Sequence, residues 1–321
     1  MPRRLIVWTL LFAAMHGSGE FAFAQNFPNK PVRLITADPG GSSDFIARVI
    51  AQGLSATWGQ QVVVDNRGAA SGIVASETLA QAPPDGYTLL LYGSGIWIVP
   101  LIRNVRYDPR RDFSPISLGT KSPNVLVVHP SLPVKSVKEL IALAKARPGG
   151  LNFGTGGTGN SPHLASELFK YMARIEIVRV GYRGIAAAIN ALVGGELQLA
   201  FSNAAPTAPH VKSGRLRALA VTSAAPSPLF PGLPTIAATG LPGYESTSKS
   251  VIFAPAKTPA AIITRINEDI VRVLHQPEAK ERLFRSGLEV VASSPAELTA
   301  DMESEVAVMG RVVKAAGIRM D

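Results

Sequence analysis

Apolar positions along this chain switch repeatedly between short continuous runs and a helical spacing. Residues 32–37 form an apolar run that predicts a buried strand. A glycine-rich turn follows, and then Phe45, Ile46, Val49, Ile50 and Leu54 recur at helical spacing up to Gly59, a natural C-terminal stop. The spacing next predicts a strand over 61–65, a helix over 71–82 ended by Pro83-Pro84-Asp85-Gly86, and a strand over 88–92. The rhythm resumes with strands over 124–128 (bounded by prolines), 151–153, 176–180, 197–201, 216–221 and 250–254. Helices are predicted over 136–147, 162–172, 184–193 and 259–275. Ser136-Val137-Lys138-Glu139 and Ser294-Pro295-Ala296-Glu297 read as capping boxes, in which hydroxyl and carboxylate satisfy amides at a helix start. The second opens a C-terminal helix with proline at its first position. Residues 223–243 are a Pro-, Ser-, Ala- and Gly-rich loop, and no repeat of fixed period occurs. Strands alternating with helices predict an α/β fold with mostly parallel sheets, which bind ligands outside the carboxyl ends of their strands.

At 321 residues the chain is long enough for about two domains, and 46% hydrophobic with 17% charged residues is a globular composition. The N-terminus changes the picture more. Arg3 and Arg4 precede the apolar run at 5–14, and Ala22-Phe23-Ala24 matches a signal-peptidase site. That run falls short of the roughly 20 apolar residues a membrane span needs. Residues 1–24 are therefore expected to be a signal peptide, and the mature chain to act in the periplasm. The chain has 0 cysteines, which excludes lipoprotein anchoring, thiol catalysis and thiolate metal sites. Its formal charge of +9 is scattered with no basic run interleaved with aromatics, so a surface that favours anionic solutes is expected and nucleic acid is not.

The candidate chemistry lies at the predicted strand ends. Pro39-Gly40-Gly41-Ser42-Ser43-Asp44, Asn66-Arg67-Gly68-Ala69-Ala70-Ser71-Gly72 and Gly154-Thr155-Gly156-Gly157-Thr158-Gly159-Asn160-Ser161 each place glycines and hydroxyls before a helix, and Tyr182-Arg183-Gly184 opens a fourth. Glycine lets backbone approach a ligand, and a helix N-terminus offers free N–H groups with partial positive charge. Such loops can hold a carboxylate without a charged side chain; singly, each also reads as an ordinary tight turn. The third loop fits G-x-G-x-x-G, but Glu176 opens a strand where the ribose-binding acid should close one. It also resembles a phosphate loop with Asn160 in place of the essential lysine. The segment Gly159-Asn160-Ser161-Pro162-His163 lacks the second glycine of a nucleophile elbow. The histidines show no metal-ligand pairing, and His163 reads either as a capping or packing residue or as a ligand contact. No cofactor, metal or catalytic residue is expected.

The same residues carry a family resemblance. Lys30-Pro31-Val32-Arg33-Leu34, Pro39-Gly40-Gly41-Ser42-Ser43-Asp44, Val64-Asp65-Asn66-Arg67, Pro84-Asp85-Gly86-Tyr87-Thr88, Leu216-Arg217-Ala218-Leu219-Ala220-Val221 and Val313-Lys314-Ala315-Ala316-Gly317-Ile318 stand in the order and spacing of the Bug-type (tripartite tricarboxylate transporter) solute-binding receptors. Over its mature length the chain resembles that family. The resemblance implies a two-lobed periplasmic-binding-protein (Venus flytrap) fold, type II-like, with helices on both faces of mixed, mostly parallel sheets. Lobe one would hold residues 25–121 and 249–321, and lobe two 122–248. It implies a monomeric receptor that captures a small mono- or dicarboxylate or an aromatic acid between its lobes for membrane permease subunits. Carried over by position, the ligand contacts would be Gly40, Gly41, Ser42, Asp44, Ser71, Gly72, Ser94, Thr155, Gly156, Thr158, Gly159, Asn160, His163, Ser202 and Asn203. Three positions depart from the family pattern: Asp38, Ser202 in place of an acid, and Lys249 in a stretch that carries aromatics. Asp38 and Lys249 are candidate specificity residues, and a lysine gained with an acid lost would favour a more anionic ligand. The alternatives are a ligand-sensing partner of a membrane sensor and a secreted α/β hydrolase.

Overall fold

The computed structural model describes residues 27–37, 39–68, 72–156 and 158–319. The expected leader over 1–24, Asp38 and Ser71 lie outside these. Chain order runs β1 (Val32–Thr36), α1 (Ser42–Trp58), β2 (Val62–Asn66), α2 (Ile73–Ala80), β3 (Thr88–Gly93), α3 (Gly95–Ile102), α4 (Pro109–Asp112) and β4 (Phe113–Val128). It continues with α5 (Val137–Ala146), β5 (Asn152–Thr155), α6 (Ser161–Ala173), β6 (Val178–Gly181), α7 (Ile185–Val193), β7 (Leu199–Asn203), α8 (Ala204–Lys212), β8 (Arg217–Val221) and α9 (Ile236–Thr239). Last come β9 (Thr247–Pro255), α10 (Ala260–Leu274), α11 (Pro277–Arg285), β10 (Glu289–Val290) and α12 (Pro295–Ala316). Among the described residues no helix is long and apolar enough to cross a membrane.

Period-two alternation in the strands explains why helices cover both sheet faces. Leu34, Leu89 and Leu91 point to the side where Ile46, Ile50 and Leu54 of α1 pack with Ile266 and Ile270 of α10. Their neighbours Ile35 and Leu90 point the other way, to Ala75, Leu79 and Trp97. Helix α1 ends as its sequence predicts, on Gly59 in the left-handed region at φ 65°, its N–H bonded to the Ser55 carbonyl.

Parallel pairing fills the outer part of each sheet, β2-β1-β3 in one and β7-β5-β6 in the other. Antiparallel pairing is added by two long strands. The sequence predicts only 124–128, bounded by prolines, and 250–254 there. Instead β4 runs 16 residues through Pro115 and Pro123. Its register against β9 shifts between Pro115 and Ser117 and again between Leu118 and Thr120, irregularities of the kind that admit prolines into a sheet. At Pro123 the partner of β4 is Thr247 of β9; at Asn124 it becomes Asn203 of β7, with β8 along the other edge. Helix α3 escapes prediction for another reason. Ile96, Trp97, Ile98, Val99 and Ile102 are all buried, so no polar face marks a helical period. The Ser294 box forms in full. At Ser136 the hydroxyl accepts the Glu139 N–H, but the Glu139 carboxylate accepts the Lys135 amide, one residue earlier than a box requires.

Candidate functional site

Two helix starts meet at one cavity of about 560 Å³. Ser94 and Gly95, after β3, line one part, and Thr158 to Ser161, between β5 and α6, line another. The two turns nearly touch: a Cβ on Gly95 would lie 3.7 Å from the Gly159 carbonyl oxygen. They belong to different sheets, so the cavity sits between the two sheet systems. Thr247 and Lys249 of β9 with Asp301 and Glu305 of α12 line it beside Ser94, whose N–H donates to the Lys249 carbonyl at 3.1 Å, and Leu164, Leu168, Met172, Val308 and Met309 add apolar surface.

The Thr155–Ser161 loop is held in shape by its own side chains and by one arginine. Arg179 of β6 donates from Nε to the Thr155 hydroxyl and from Nη2 to the Thr158 hydroxyl, both at 3.0 Å. The Asn160 side chain caps α6 by accepting the His163 N–H at 2.9 Å, and His163 Nδ1 accepts the Gly159 N–H at 3.1 Å. A Cβ on Gly156 would fall 2.7 Å from Asn160 Nδ2 and 3.2 Å from the Ile185 nitrogen, so only glycine lets this loop lie against the start of α7. Behind the loop, Asn124 Nδ2 donates to the Ser161 hydroxyl at 2.9 Å, and Asn203 Nδ2 donates to Asn124 Oδ1 at 3.2 Å. The Asn124 N–H donates to the Thr222 hydroxyl at 2.8 Å. Through its side chain and its backbone N–H, buried Asn124 thus ties α6, β7 and the residue after β8 together.

The expected residues divide sharply. Ser94, Thr158, Gly159, Asn160 and Lys249 line the cavity. Thr155 and Ser202 are fully buried behind it, and the Ser202 hydroxyl donates to the Asn203 carbonyl. Gly40, Gly41 and Ser42 are exposed at the end of β1, outside the cavity lining. Gly72 is buried outside it as well, where a Cβ would meet the Tyr92 ring at 2.6 Å.

Two expected contacts already have partners within the chain. Asp44 is buried, and its carboxylate accepts the Gly40 N–H, Arg48 Nε and Asn66 Nδ2. Burial alone would raise its pKa; the bonds from Arg48, Asn66 and Gly40 outweigh that and hold it at about 2. Its charge shapes the β1–α1 turn. His163 is 1% exposed, and its ring serves the loop amide, so the capping role is the one the structure carries. Burial, then the charges of Arg179 and Lys170, push the imidazole down to about 3. Glu167, 3.9 Å from Nε2, is itself paired to Lys170.

A pH dependence follows from that neutral ring. The unfolded chain takes up a proton near pH 6.5 that the folded chain refuses until about 3. Stability from this group is therefore complete above pH 6.5 and falls by about 1.4 kcal/mol per pH unit below it. Thermal melts between neutral pH and mild acid should show a shallower loss for His163→Asn than for the parent chain. Equal slopes would mean that His163 is protonated in the fold.

Lys249 also differs from its sequence expectation. It is 12% exposed at its side chain, with Nζ 2.7 and 2.8 Å from the two Asp301 oxygens and 2.8 Å from Glu305 Oε2. Burial would lower its pKa, but Glu305 and Asp301 raise it. The lysine charge is thus more than matched, and a simple gain of positive charge in the cavity does not occur. Four residues that shape the site were missed in the sequence: Asn124, Arg179, Asp301 and Glu305. The four-residue spacing of the two acids puts them on one helix face, but their lysine lies 52 and 56 residues away.

Residues 46–318 match the family model described as "Tripartite tricarboxylate transporter family receptor". BugT of Bordetella pertussis is 33% identical over 99% of this chain and 98% of its own. Among solved structures, R. palustris Rpa4515 with adipate is 38% identical, with a TM-score of 0.76 over 91% of this chain and 99% of that one. MatC from Rhodopseudomonas palustris with bound malate is 27% identical, with a TM-score of 0.74 over 89% of this chain and 100% of that one. The chain belongs to the tripartite tricarboxylate transporter receptor family, solute-binding receptors of the periplasm built on the two-lobed α/β binding-protein fold.

Proposed function

We propose that this chain captures a small carboxylate between its lobes and presents it to membrane permease subunits, catalysing nothing itself. The observation that carries this reading is the meeting of two helix N-termini, at Ser94–Gly95 and Thr158–Ser161, on one cavity between the sheets. Their amides suit an anion, and a cavity of about 560 Å³ suits a small organic acid. Adipate and malate in the two similar structures support the same ligand class. Lobe one would comprise 25–121 with 249–321, and lobe two 122–248; the change of β4 partners between Pro123 and Asn124 supports that division. The mature monomer would start after Ala24, following export. Lobe closure on the ligand would create the surface that the permease reads.

A thermal-shift screen of the mature protein tests this against mono- and dicarboxylates, aromatic acids, amino acids and nicotinamide cofactors. A ligand at 100 times its Kd adds about 2.7 kcal/mol to native stability, enough to raise Tm by several degrees. A saturable shift with acids is expected. Silence across every acid, with a shift for a cofactor, would overturn the receptor reading.

A further inference from the structure

Two hydroxyls on the Thr158–Ser161 turn are oriented as donors. Thr158 Oγ1 accepts from Arg179 Nη2 at 3.0 Å, and Ser161 Oγ accepts from Asn124 Nδ2 at 2.9 Å. Neither hydroxyl donates to an acceptor among the described residues, so each O–H hydrogen is left for the cavity that both residues line. Arg179 itself lies outside that lining and polarises the Thr158 hydroxyl from behind.

Past this turn the lining of α6 becomes apolar. Leu164, Leu168 and Met172 recur every four residues and share one face of the helix, which extends about 16 Å along its axis from Ser161 to Met172. Val308 and Met309 of α12 line the cavity too, and all five side chains belong to one apolar core or pack against it. Lys249 is the sole cationic side chain among the described lining residues, and Asp301 and Glu305 already hold its ammonium. A second carboxylate on a ligand finds no unpaired cation in that lining, and burying an unpaired charge against apolar side chains is costly.

We propose that the ligand of this chain is a monocarboxylate with an apolar tail. The Thr158 and Ser161 hydroxyls donate to its carboxylate, and the tail is buried by Leu164, Leu168 and Met172 of α6 with Val308 and Met309 of α12. This rests on the carboxylate reading above and narrows it, away from diacids such as those held by the two similar structures.

The comparison uses butyrate, octanoate and suberate, titrated calorimetrically into the mature protein; octanoate and suberate share one chain length and differ only at the far end. Octanoate should bind at least about 30-fold tighter than butyrate, because each buried methylene is worth about three- to fourfold, and at least about 10-fold tighter than suberate. Met172→Lys places a cation on the apolar face in the last turn of α6, where the helix dipole favours it and the lysine stem keeps the packing. In that variant octanoate should weaken about 10-fold and lose its lead over suberate, while butyrate stays within about twofold. In Thr158→Val all three acids should weaken together by about tenfold. Suberate binding as tightly as octanoate, or octanoate no tighter than butyrate, would overturn the apolar-tail assignment and leave the carboxylate reading standing. An unchanged ranking in Met172→Lys would overturn the placement of the tail on α6, and parental affinities in Thr158→Val the placement of the carboxylate. Absence of binding by these three and by every acid of the thermal screen would overturn both the narrower reading and the broader one.

Discussion

A Gly156→Val variant should fold and yet bind its carboxylate at least about 100-fold more weakly than the parent protein. The added Cβ would stand 2.7 Å from Asn160 Nδ2 and 3.2 to 3.3 Å from backbone atoms of Ile185 and Gly184. The amide side chain can swing aside, but the backbone at the start of α7 cannot yield without moving the β5–α6 loop. Asn160 caps α6, and Gly159 is fixed through His163, so displacement of the loop moves the Thr158–Ser161 stretch that lines the cavity. The steric cost to the fold is about 1–3 kcal/mol, which a two-lobed protein can survive. Gly310→Ala on α12, where a Cβ meets nothing within 4 Å, is the matched control and should leave affinity unchanged. Calorimetric affinity and Tm for both variants decide the matter. Parent-like affinity in Gly156→Val would show that the loop amides do not hold the ligand.

Asn124→Leu should be the most destabilising single change near the site. Asn124 is fully buried, and its side chain donates to Ser161 and accepts from Asn203. Leucine is close in size but leaves the Ser161 oxygen and the Asn203 amide without these partners. At about 1–3 kcal/mol for each unsatisfied group, discounted because Ser161 and Asn203 retain some exposure, the loss comes to about 2–3 kcal/mol. For a chain of this size that lowers Tm by about 3–5 °C. Affinity should fall about tenfold as well, because Ser161 lies both at the start of α6 and on the cavity wall. Parent-like Tm and binding would mean that the Asn203–Asn124–Ser161 chain carries no weight and that water replaces it at no cost.

Local signals were sufficient wherever a segment of chain decides its own conformation. The α1 helix, its Gly59 stop, the Ser294 box and the parallel β1, β2 and β3 strands follow from spacing and capping chemistry, which act within a few residues. The glycine- and hydroxyl-bearing turns at strand ends were legible for the same reason, as was the family resemblance that their order carries. Prolines misled at β4 because strand breaking is a local rule. The register shifts that admit Pro115 exist only once β9 lies alongside. The apolar α3 gave no helical period because its surroundings bury it on every side.

What each side chain does was decided by partners distant in sequence. Asp44 reads as a free carboxylate in the sequence, and the fold brings Arg48, Asn66 and the Gly40 amide to it. Lys249 reads as added positive charge until α12 brings two carboxylates to it from more than 50 residues away. Asn124 and Arg179 carry no motif at all; they matter because pairing of β4 with β7 and of β5 with β6 sets them beside the loop they hold. The sequence by itself determined the alternating α/β plan and the glycine- and hydroxyl-bearing turns at the strand ends, because those depend on composition and short-range spacing. Only the tertiary structure decided which of those groups remain free for a ligand and what charge the cavity presents, because hydrogen bonds and ion pairs form between whatever side chains the fold brings within reach.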